Sequence, residues 1–314
     1  MALEGSPALI VLLGPTAAGK TSLAIEWAEP LNAEVVSADS VQVYRYMDIG
    51  TAKPAREIRG RVPHHLVDVA DPDEGFSAAR FQIEADRAIR DIHSRGKTAL
   101  VVAGTGLYVR ALTRGLFDGH GGDREVRERL REEARTRGTE SLHGRLAQVD
   151  PDAAARIHPN DLFRVIRAIE VYLGTGLPIS RHHATHGFAE ERYRALYLGL
   201  DVERSVLHER IDARVEEMMS RGLVPEVDGL IRRGYGLDLP SMRALGYRHV
   251  GMYLRGHVSL EEAVLLLKRD THRYARRQMT WFRAMSEVRW FPGRDSGMVL
   301  KESQRFLGKT VEHP

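Results

Sequence analysis

A glycine-rich loop near the start of the chain limits the possible folds more than any other part of the sequence. The loop reads Gly14-Pro15-Thr16-Ala17-Ala18-Gly19-Lys20-Thr21 and fits the pattern G-x-x-x-x-G-K-[ST]. The apolar run Ala8–Leu13 precedes it and a helical pattern over Thr21–Glu29 follows it, which is the context that a phosphate-binding loop requires. The alternative is a glycine turn with a purely structural role. The context favours a P-loop, and with it a parallel α/β sheet.

The residue types of this loop suit the binding of a phosphate group. Glycines allow backbone N–H groups to turn inward around phosphate oxygens, and the helix N-terminus adds a favourable dipole. Lys20 supplies a positive charge for terminal phosphate oxygens, and the Thr21 hydroxyl is a candidate ligand for Mg²⁺. The motif does not specify the phosphate compound, and ATP or GTP is the default expectation.

Further apolar runs predict the remaining strands of this sheet, namely Ala33–Ser37, Thr98–Ala103, Ala195–Leu200 and, at an edge, Val288–Phe291. Continuous apolar runs separated by helical segments indicate a parallel sheet that is covered on both faces. Ligands of such sheets bind beyond the carboxyl ends of the strands. We therefore expect the polar residues after four of the runs, Thr16, Asp39, Thr105 and Asp201, to lie near one cleft.

Residues 121–190 interrupt this alternation with helical patterns and no strand pattern. The helical patterns cover Asp123–Arg137, Ser141–Gln148, Asp152–Ile157 and Asp161–Leu173. The sequence thus predicts a P-loop NTPase-like parallel-sheet core, formed by residues 1–120 and 191–314, with a helical insertion domain at 121–190. Two long helices are predicted later in the core, at Arg204–Arg221 and Leu260–Arg283, and a loose tail from about Gly293.

The composition excludes several classes of protein. The chain contains no cysteine, so disulfides, thiolate zinc sites, iron–sulfur clusters and a cysteine nucleophile are ruled out. No stretch approaches the roughly 18 apolar residues of a membrane span, which predicts a soluble, cytoplasmic protein without a membrane partner. The net charge is only +3, but just six of the 46 basic residues are lysines. A GC-rich genome explains most of that bias, and some of the arginines are candidates for phosphate binding.

The acidic residue expected close to a P-loop follows a different strand here. In a motor or switch protein an aspartate ends a neighbouring strand, whereas Thr98–Ala103 runs into Gly104-Thr105-Gly106. Asp39 follows the second predicted strand instead, where a carboxylate can orient a nucleophile and accept its proton. The alternative is that Asp39 caps the next helix.

The chain resembles the tRNA dimethylallyltransferases, also called tRNA isopentenyltransferases, in an ordered series of motifs from about residue 8 to 292. Besides the P-loop, the motifs are Asp39-Ser40-Val41-Gln42-Val43-Tyr44, Asp48-Ile49-Gly50-Thr51-Ala52-Lys53-Pro54, Gly104-Thr105-Gly106-Leu107-Tyr108, His158-Pro159-Asn160-Asp161, Arg164-Val165-Ile166-Arg167-Ala168-Ile169-Glu170, Ala244-Leu245-Gly246-Tyr247-Arg248 and Tyr274-Ala275-Arg276-Arg277-Gln278-Met279-Thr280-Trp281-Phe282-Arg283.

This resemblance implies a prenyltransferase that moves the dimethylallyl group of dimethylallyl diphosphate to N6 of adenosine 37, in tRNAs that read codons starting with U. The P-loop residues from Gly14 to Thr21 would then grip the diphosphate with the help of Mg²⁺. The resemblance assigns the general base to Asp39 and assistance of the departing oxygen to Thr105. It places Arg214 at the diphosphate, although an ion pair of Arg214 with Glu217 or Glu209 is the alternative.

The resemblance also implies a set of tRNA contacts with the anticodon stem-loop, made by a monomeric enzyme that flips the target base out of its stack. Arg167 and Arg248 are candidates to reach phosphates, and Phe163 and Tyr247 to stack on bases. The full set consists of Asp39, Ser40, Val41, Gln42, Thr105, Arg127, Phe163, Arg164, Val165, Ile166, Arg167, Arg243, Gly246, Tyr247 and Arg248.

Three other functions remain open alternatives at the level of the sequence. A prenyltransferase of free AMP, ADP or ATP would need no elaborate helical insertion, and a small-molecule kinase would share only the P-loop with the motifs above. A non-catalytic RNA-binding protein would not need Lys20, Thr21, Asp39 and Thr105 together. The basic segment Lys268–Arg283 suits a nucleic-acid surface, but helical spacing favours core positions for its aromatic residues.

Overall fold

The computed structural model describes residues 7–117, 123–187, 190–292 and 296–308. Its strands are β1 (Ala8–Leu13), β2 (Ala33–Ala38), β3 (His64–His65), β4 (Thr98–Ala103), β5 (Arg194–Asp201) and β6 (Arg289–Pro292). Its helices are α1 (Lys20–Ala28), α2 (Arg56–Arg61), α3 (Ala78–Ser94), α4 (Gly106–Arg114), α5 (Arg124–Arg137), α6 (Thr139–Val149), α7 (Pro151–Arg156), α8 (Leu162–Thr175), α9 (Ile179–His186), α10 (Arg204–Ser220), α11 (Leu223–Arg232), α12 (Tyr247–Leu254), α13 (Leu260–Arg283) and α14 (Ser296–Phe306). The chain divides into two compact units, the first made of Met1–Thr113 with Glu191–Pro314 and the second of Arg114–Glu190.

A parallel sheet forms the centre of the first unit. The strand order is β3-β2-β4-β1-β5-β6, and each neighbouring pair runs in parallel. Leu9, Val11 and Leu13 face one side of the sheet and Ile10 and Leu12 the other, and all five are fully buried. The continuous apolar run of β1 therefore reflects a strand that is covered on both faces. The predicted α/β fold with a parallel sheet is confirmed.

The carboxyl ends of β1, β2 and β4 meet at one edge of the sheet. The register pairs both Leu13 of β1 and Ala38 of β2 with Ala103 of β4, so the three strands end at the same level of the sheet. The P-loop, Asp39 and Thr105 follow these ends directly, and α1 begins at Lys20. The topology therefore gathers three of the four predicted polar residues in one place.

The C-terminal segment differs from its prediction. The sequence predicts a loose tail from about Gly293, but Ser296–Phe306 form helix α14. Val299 is 1% exposed and lies in the cluster on the second face of the sheet, with Leu300 and Phe306 packed against it. The tail prediction is wrong because these apolar residues cover sheet surface that the local pattern does not reveal.

Helices α5 to α9 form the second unit, and no strand occurs among its described residues. Aspartates start three of the helices, because their side chains accept hydrogen bonds from backbone N–H groups of the first turn. Asp123 caps α5, Asp150 caps α7 and Asp161 caps α8. The core of the unit contains Leu130, Leu142, Leu146, Val165 and Ile169, all at most 1% exposed. Neither unit has a described helix that is long and apolar enough to cross a membrane.

Candidate active site

The P-loop encloses the side chain of its own lysine. Gly19 sits at the N-cap of α1 with a φ of 93°, a left-handed conformation that favours glycine. Lys20 follows it, and its Nζ donates hydrogen bonds to the carbonyl oxygens of Gly14 and Pro15, at 2.8 Å each. The loop thereby holds the ammonium group where phosphate oxygens would arrive.

The environment of Lys20 disfavours its charged form. Burial lowers the pKa of the Lys20 ammonium from 10.5 to about 7; nearby Arg214 lowers it further, and Asp39 partly opposes the shift. Burial likewise lowers the pKa of Arg214, with Asp39 and Glu217 opposing. Two cationic groups are thus desolvated beside each other. A bound polyanion would offset both their mutual repulsion and their loss of hydration.

A cavity of about 640 Å³ adjoins the P-loop. Thr16, Lys20 and Thr21 line one side of it, and Arg210 and Arg214 of α10 line another. No carboxylate among the described residues lies within ion-pair distance of the Arg214 guanidinium, so the alternative of an ion pair with Glu217 or Glu209 is not what the structure shows. The cavity therefore presents several cations from two elements of the fold.

Asp39 uses one carboxylate oxygen for the local backbone. Its Oδ1 accepts hydrogen bonds from Val41 N–H at 2.8 Å and from Gln42 N–H at 3.1 Å, within a turn rather than a helix. Its Oδ2 accepts no hydrogen bond from the described part of the chain and lies close to Gly104, where an added Cβ would stand 3.3 Å away. The turn fixes the carboxylate and leaves one oxygen for a ligand.

Thr105 is tied to the segment that carries Asp39. The Thr105 N–H donates to Ala38 O at 3.2 Å, and its Oγ1 accepts from Ser40 N–H at 3.2 Å. Its hydroxyl donates to Ser40 Oγ at 3.4 Å. Burial and the negative charge of Asp39 raise the pKa of Tyr274, which lines the same cavity as Asp39. Tyr274 therefore stays protonated beside the predicted catalytic pair.

A second cavity, of about 280 Å³, shares four of its lining residues with the first: Thr16, Asp39, Arg214 and Tyr274. Ser40 and Val41 line only the second cavity, together with three arginines, Arg243, Arg248 and Arg277. Asp39 and Tyr274 thus stand between the cavity beside the glycine-rich loop and a second cavity with a basic wall. This arrangement suits a transfer between two substrates that enter separately.

Comparisons with known proteins identify the family of this chain. The sequence model of the IPP transferase family matches residues 42–285. The chain belongs to the IPP transferase family. It is 56% identical over 282 residues to tRNA dimethylallyltransferase 2 of Geotalea uraniireducens (strain Rf4), covering 90% of this chain and 91% of that protein. The family predicted from the sequence is thereby confirmed.

Solved structures of the IPP transferase family share the fold. The full-length tRNA isopentenylpyrophosphate transferase of Bacillus halodurans is 43% identical with a TM-score of 0.70, covering 96% of this chain and 95% of that one. A eukaryotic dimethylallyltransferase acting on tRNA is 27% identical with a TM-score of 0.83, covering 98% of this chain and 81% of that one.

The tRNA contacts expected from the family fall into distinct structural settings. In the first unit, Arg243 and Arg248 are both exposed, and Arg248 Nη2 donates to Asp270 Oδ2 at 2.5 Å. Tyr247 is fully buried, and its hydroxyl donates to Glu226 Oε1 at 2.7 Å. Gly246 is also buried and caps α12. The base-stacking role expected of Tyr247 does not fit this burial, because its ring packs in the core against Gly50.

The side chain of Gln42 is held by two hydrogen bonds within the protein. Its Oε1 accepts from the Ser37 hydroxyl at 3.0 Å, and its Nε2 donates to Thr51 O at 3.2 Å. Each end of the amide is therefore anchored inside the protein, and Gln42 lines the first cavity.

The remaining expected tRNA contacts belong to the second unit. Phe163 is 77% exposed at the start of α8, whereas Val165 and Ile166 are buried in the helical core. Arg164 lies 3.4 Å from Asp161 and is mostly exposed. Phe163 and Arg164 are therefore the most exposed side chains of this stretch, and Arg167 is partly exposed.

Two arginines of the second unit share one buried carboxylate. Arg127 Nε lies 2.7 Å from Glu170 Oε1, and Arg167 Nη1 donates to Glu170 Oε2 at 2.8 Å. The Glu170 side chain is only 4% exposed. One carboxylate against two guanidinium groups leaves a net positive charge at this position.

The expectation that four strand-end residues gather in one cleft holds for three of them. Asp201 lines neither cavity; its Oδ1 lies 3.5 Å from Arg283 Nη2 at the exposed end of β5.

Two residues of the site were not predicted from the sequence. Tyr274 and Gln278 lie one turn apart on α13, and both line the first cavity. The signal in the sequence that could have identified Gln278 is its position among the apolar residues of an amphipathic helical pattern.

Proposed function

We propose that this protein transfers the dimethylallyl group of dimethylallyl diphosphate to N6 of adenosine 37 in tRNAs that read codons starting with U. Dimethylallyl transfer to tRNA is the activity of the family to which the chain belongs. The observation that carries the proposal is the pair of adjoining cavities, with Asp39 in the wall that they share. The first would receive the diphosphate and the second the adenine.

The cationic side of the first cavity suits the leaving group. Transfer breaks the bond between the allylic carbon and the diphosphate oxygen, and negative charge develops on the diphosphate. Lys20 and Arg214 are desolvated at this cavity, so they would stabilise that charge more strongly than in water. Preorganised cations of this kind lower the barrier without further reorganisation. Thr105 would assist the departing oxygen through its hydroxyl.

Mg²⁺ is the cofactor that we propose for this site. The Thr21 hydroxyl lines the cavity at the start of α1, and the described residues contain no cluster of three or more His, Asp or Glu side chains that could hold a metal. This donor set fits Mg²⁺, which keeps several water ligands and binds through one or two protein groups plus substrate phosphates. When bound, the ion would neutralise part of the diphosphate charge.

Asp39 is the residue that we propose as the general base. The N6 amine is a weak nucleophile, because its lone pair is delocalised into the purine, and it must lose a proton when the new N–C bond forms. The oxygen Oδ2 of Asp39 is free to accept this proton, while Oδ1 is held by Val41 and Gln42. The proton thus moves from N6 to Asp39, and the bonding electrons leave with the diphosphate.

Basic residues would hold the RNA. Arg243, Arg248 and Arg277 line the second cavity, where phosphates beside a flipped adenosine would lie. In the second unit, Arg127 and Arg167 offer a net positive site and Phe163 an exposed ring. We expect the enzyme to act as a monomer in the cytoplasm, as its resemblance to the family implies.

A labelling experiment tests this proposal. The purified protein is incubated with Mg²⁺, radiolabelled dimethylallyl diphosphate and an anticodon stem-loop that contains A36, A37 and A38. We expect label in this RNA and none in the same RNA with G37. Equal labelling of free AMP would refute tRNA as the substrate, and the absence of label in any acceptor would refute the transfer itself.

A further inference from the structure

Gln278 links two parts of the active site through one buried amide. It lies on α13 and is only 7% exposed. Its Oε1 accepts a hydrogen bond from Thr16 N–H at 2.9 Å, and its Nε2 donates to Gly104 O at 2.6 Å. These partners lie 262 and 174 residues away in the chain. A polar side chain buried on an apolar face is costly unless both ends are satisfied, and here both are.

The two partners of Gln278 belong to opposite sides of the proposed reaction. Thr16 is part of the P-loop, whose Gly14 and Pro15 carbonyls hold the Lys20 ammonium. This is the side of the leaving diphosphate. The amide of Thr16 donates to Gln278, so this N–H belongs to the scaffold of the loop rather than to its phosphate donors.

Gly104 belongs to the side of the general base. The N–H groups of Gly104 and Thr105 both donate to Ala38 O, the carbonyl just before Asp39, at 3.3 and 3.2 Å. Thr105 Oγ1 in turn accepts from Ser40 N–H, just after Asp39. Gly104, Thr105 and Asp39 are therefore held as one unit by the ends of β2 and β4.

We infer that Gln278 is a positioning residue that sets the gap between the diphosphate-binding loop and the Asp39–Thr105 pair. This inference rests on the proposed function, in which those two sides hold the leaving group and the nucleophile. Displacement at the allylic carbon needs both in line, and a misplacement of about 1 Å costs on the order of 10²-fold in rate. The amide suits the task because one end must accept and the other must donate.

The first test replaces Gln278 by methionine, which is similar in size but neither donates nor accepts strongly. We expect the single-turnover rate with saturating substrates to fall roughly 10- to 100-fold. The Kd for inorganic diphosphate, measured by calorimetry, should stay within about threefold, because Lys20, Thr21 and Arg214 remain. Thr280→Ala is the matched control: Thr280 lies on the same helix, and its hydroxyl donates to Arg276 O within α13.

The second test replaces Gln278 by glutamate and follows the rate with pH. A neutral carboxyl group accepts through one oxygen and donates through its hydroxyl, as the amide does, whereas a carboxylate would face the Gly104 carbonyl with a negative charge. Burial raises the pKa of a carboxyl group. The rate of the Gln278→Glu variant relative to the wild type should therefore be near one at pH 6 and fall as the pH rises to 9. The ratio for Gln278→Met should not change with pH.

The outcomes separate this inference from the proposed function. A wild-type protein that labels no RNA refutes the function, whereas diphosphate binding can still be measured. The inference is overturned if the Met variant keeps its rate within twofold, if its diphosphate affinity falls in parallel with its rate, or if the Glu variant shows the pH-independent loss of the Met variant. If the Gln278→Met variant does not fold, the pH dependence of the rate of the Gln278→Glu variant tests the inference alone.

Discussion

Replacing Lys20 by methionine should stabilise the ligand-free protein while abolishing its function. The structure holds the Lys20 ammonium beside Arg214 in a desolvated loop, with a pKa of about 7 instead of 10.5. At about 1.4 kcal/mol for each pKa unit, this difference corresponds to at most about 5 kcal/mol of unfavourable free energy. The two hydrogen bonds of the ammonium group to Gly14 and Pro15 offset part of this cost, so the gain on substitution should be smaller than that upper limit.

The pH dependence gives the sharper measurement. Below pH 7 the lysine is protonated in both states, so the native state carries the full cost. Between pH 7 and 10.5 the unfolded state binds the proton and the native state does not, so this lysine's contribution to stability becomes less unfavourable as the pH rises. The Lys20→Met variant lacks this dependence. Its free energy of unfolding minus that of the wild type should therefore shrink by roughly 1 kcal/mol per pH unit between pH 7.5 and 9.

Urea unfolding followed by circular dichroism at pH 7, 8 and 9 measures this difference. Lys301→Met, at an exposed lysine of α14, is the control and should show no comparable trend. Inorganic diphosphate should stabilise the wild type and have little effect on the Lys20→Met variant. A difference that stays constant from pH 7 to 9 would refute the desolvation of Lys20 and with it the electrostatic account of leaving-group stabilisation.

Three further substitutions test the general base, a proposed RNA contact and the carboxylate of Glu226, which holds residues 48–50. Asp39→Ala should lower the single-turnover rate roughly 10²–10⁴-fold with diphosphate binding retained, and a loss below tenfold would remove Asp39 as the base. Arg248→Ala should weaken binding of the stem-loop and reduce the slope of log K against log salt, whereas an unchanged slope excludes a phosphate contact. Glu226→Gln should lower the free energy of unfolding by about 1–3 kcal/mol, measured by urea unfolding. The reason is the loss of a charged acceptor for the N–H groups of Asp48, Ile49 and Gly50 and for the Tyr247 hydroxyl. An unchanged free energy would mean that water replaces the carboxylate.

Local signals were sufficient for much of the fold. Strands β1 and β4 and helix α13 have the bounds that the sequence predicts, because long apolar runs and a clear helical period reflect burial that is set within each element. The two-residue strand β3 and helix α14 were not predicted. Their placement depends on pairing with Val35 and Val36 and on packing against the sheet, contacts that no local window contains.

Part of the candidate site could likewise be predicted from local sequence, whereas another part depends on contacts between distant segments. Thr16, Asp39 and Thr105 follow strand ends, so the rule that parallel strands present their carboxyl ends at one edge was enough to bring them together. The rule failed for Asp201, which ends β5 but pairs with Arg283 outside the cleft. It could not show that the Tyr247 ring is buried against Gly50, where an added Cβ would lie 2.5 Å from the ring.

The sequence by itself determined the glycine-rich loop between β1 and α1, the parallel sheet and the family of this protein, because these depend on backbone conformation and on motifs that are contiguous in the chain. The tertiary structure decided which side chains complete the site. Gln278 reaches Thr16 and Gly104, and Tyr274 lines the same cavity, only because α13 lies beside the segments that follow β1 and β4. Hydrogen bonds between residues so distant in the chain follow from three-dimensional packing, which the order of amino acids encodes but no single segment displays.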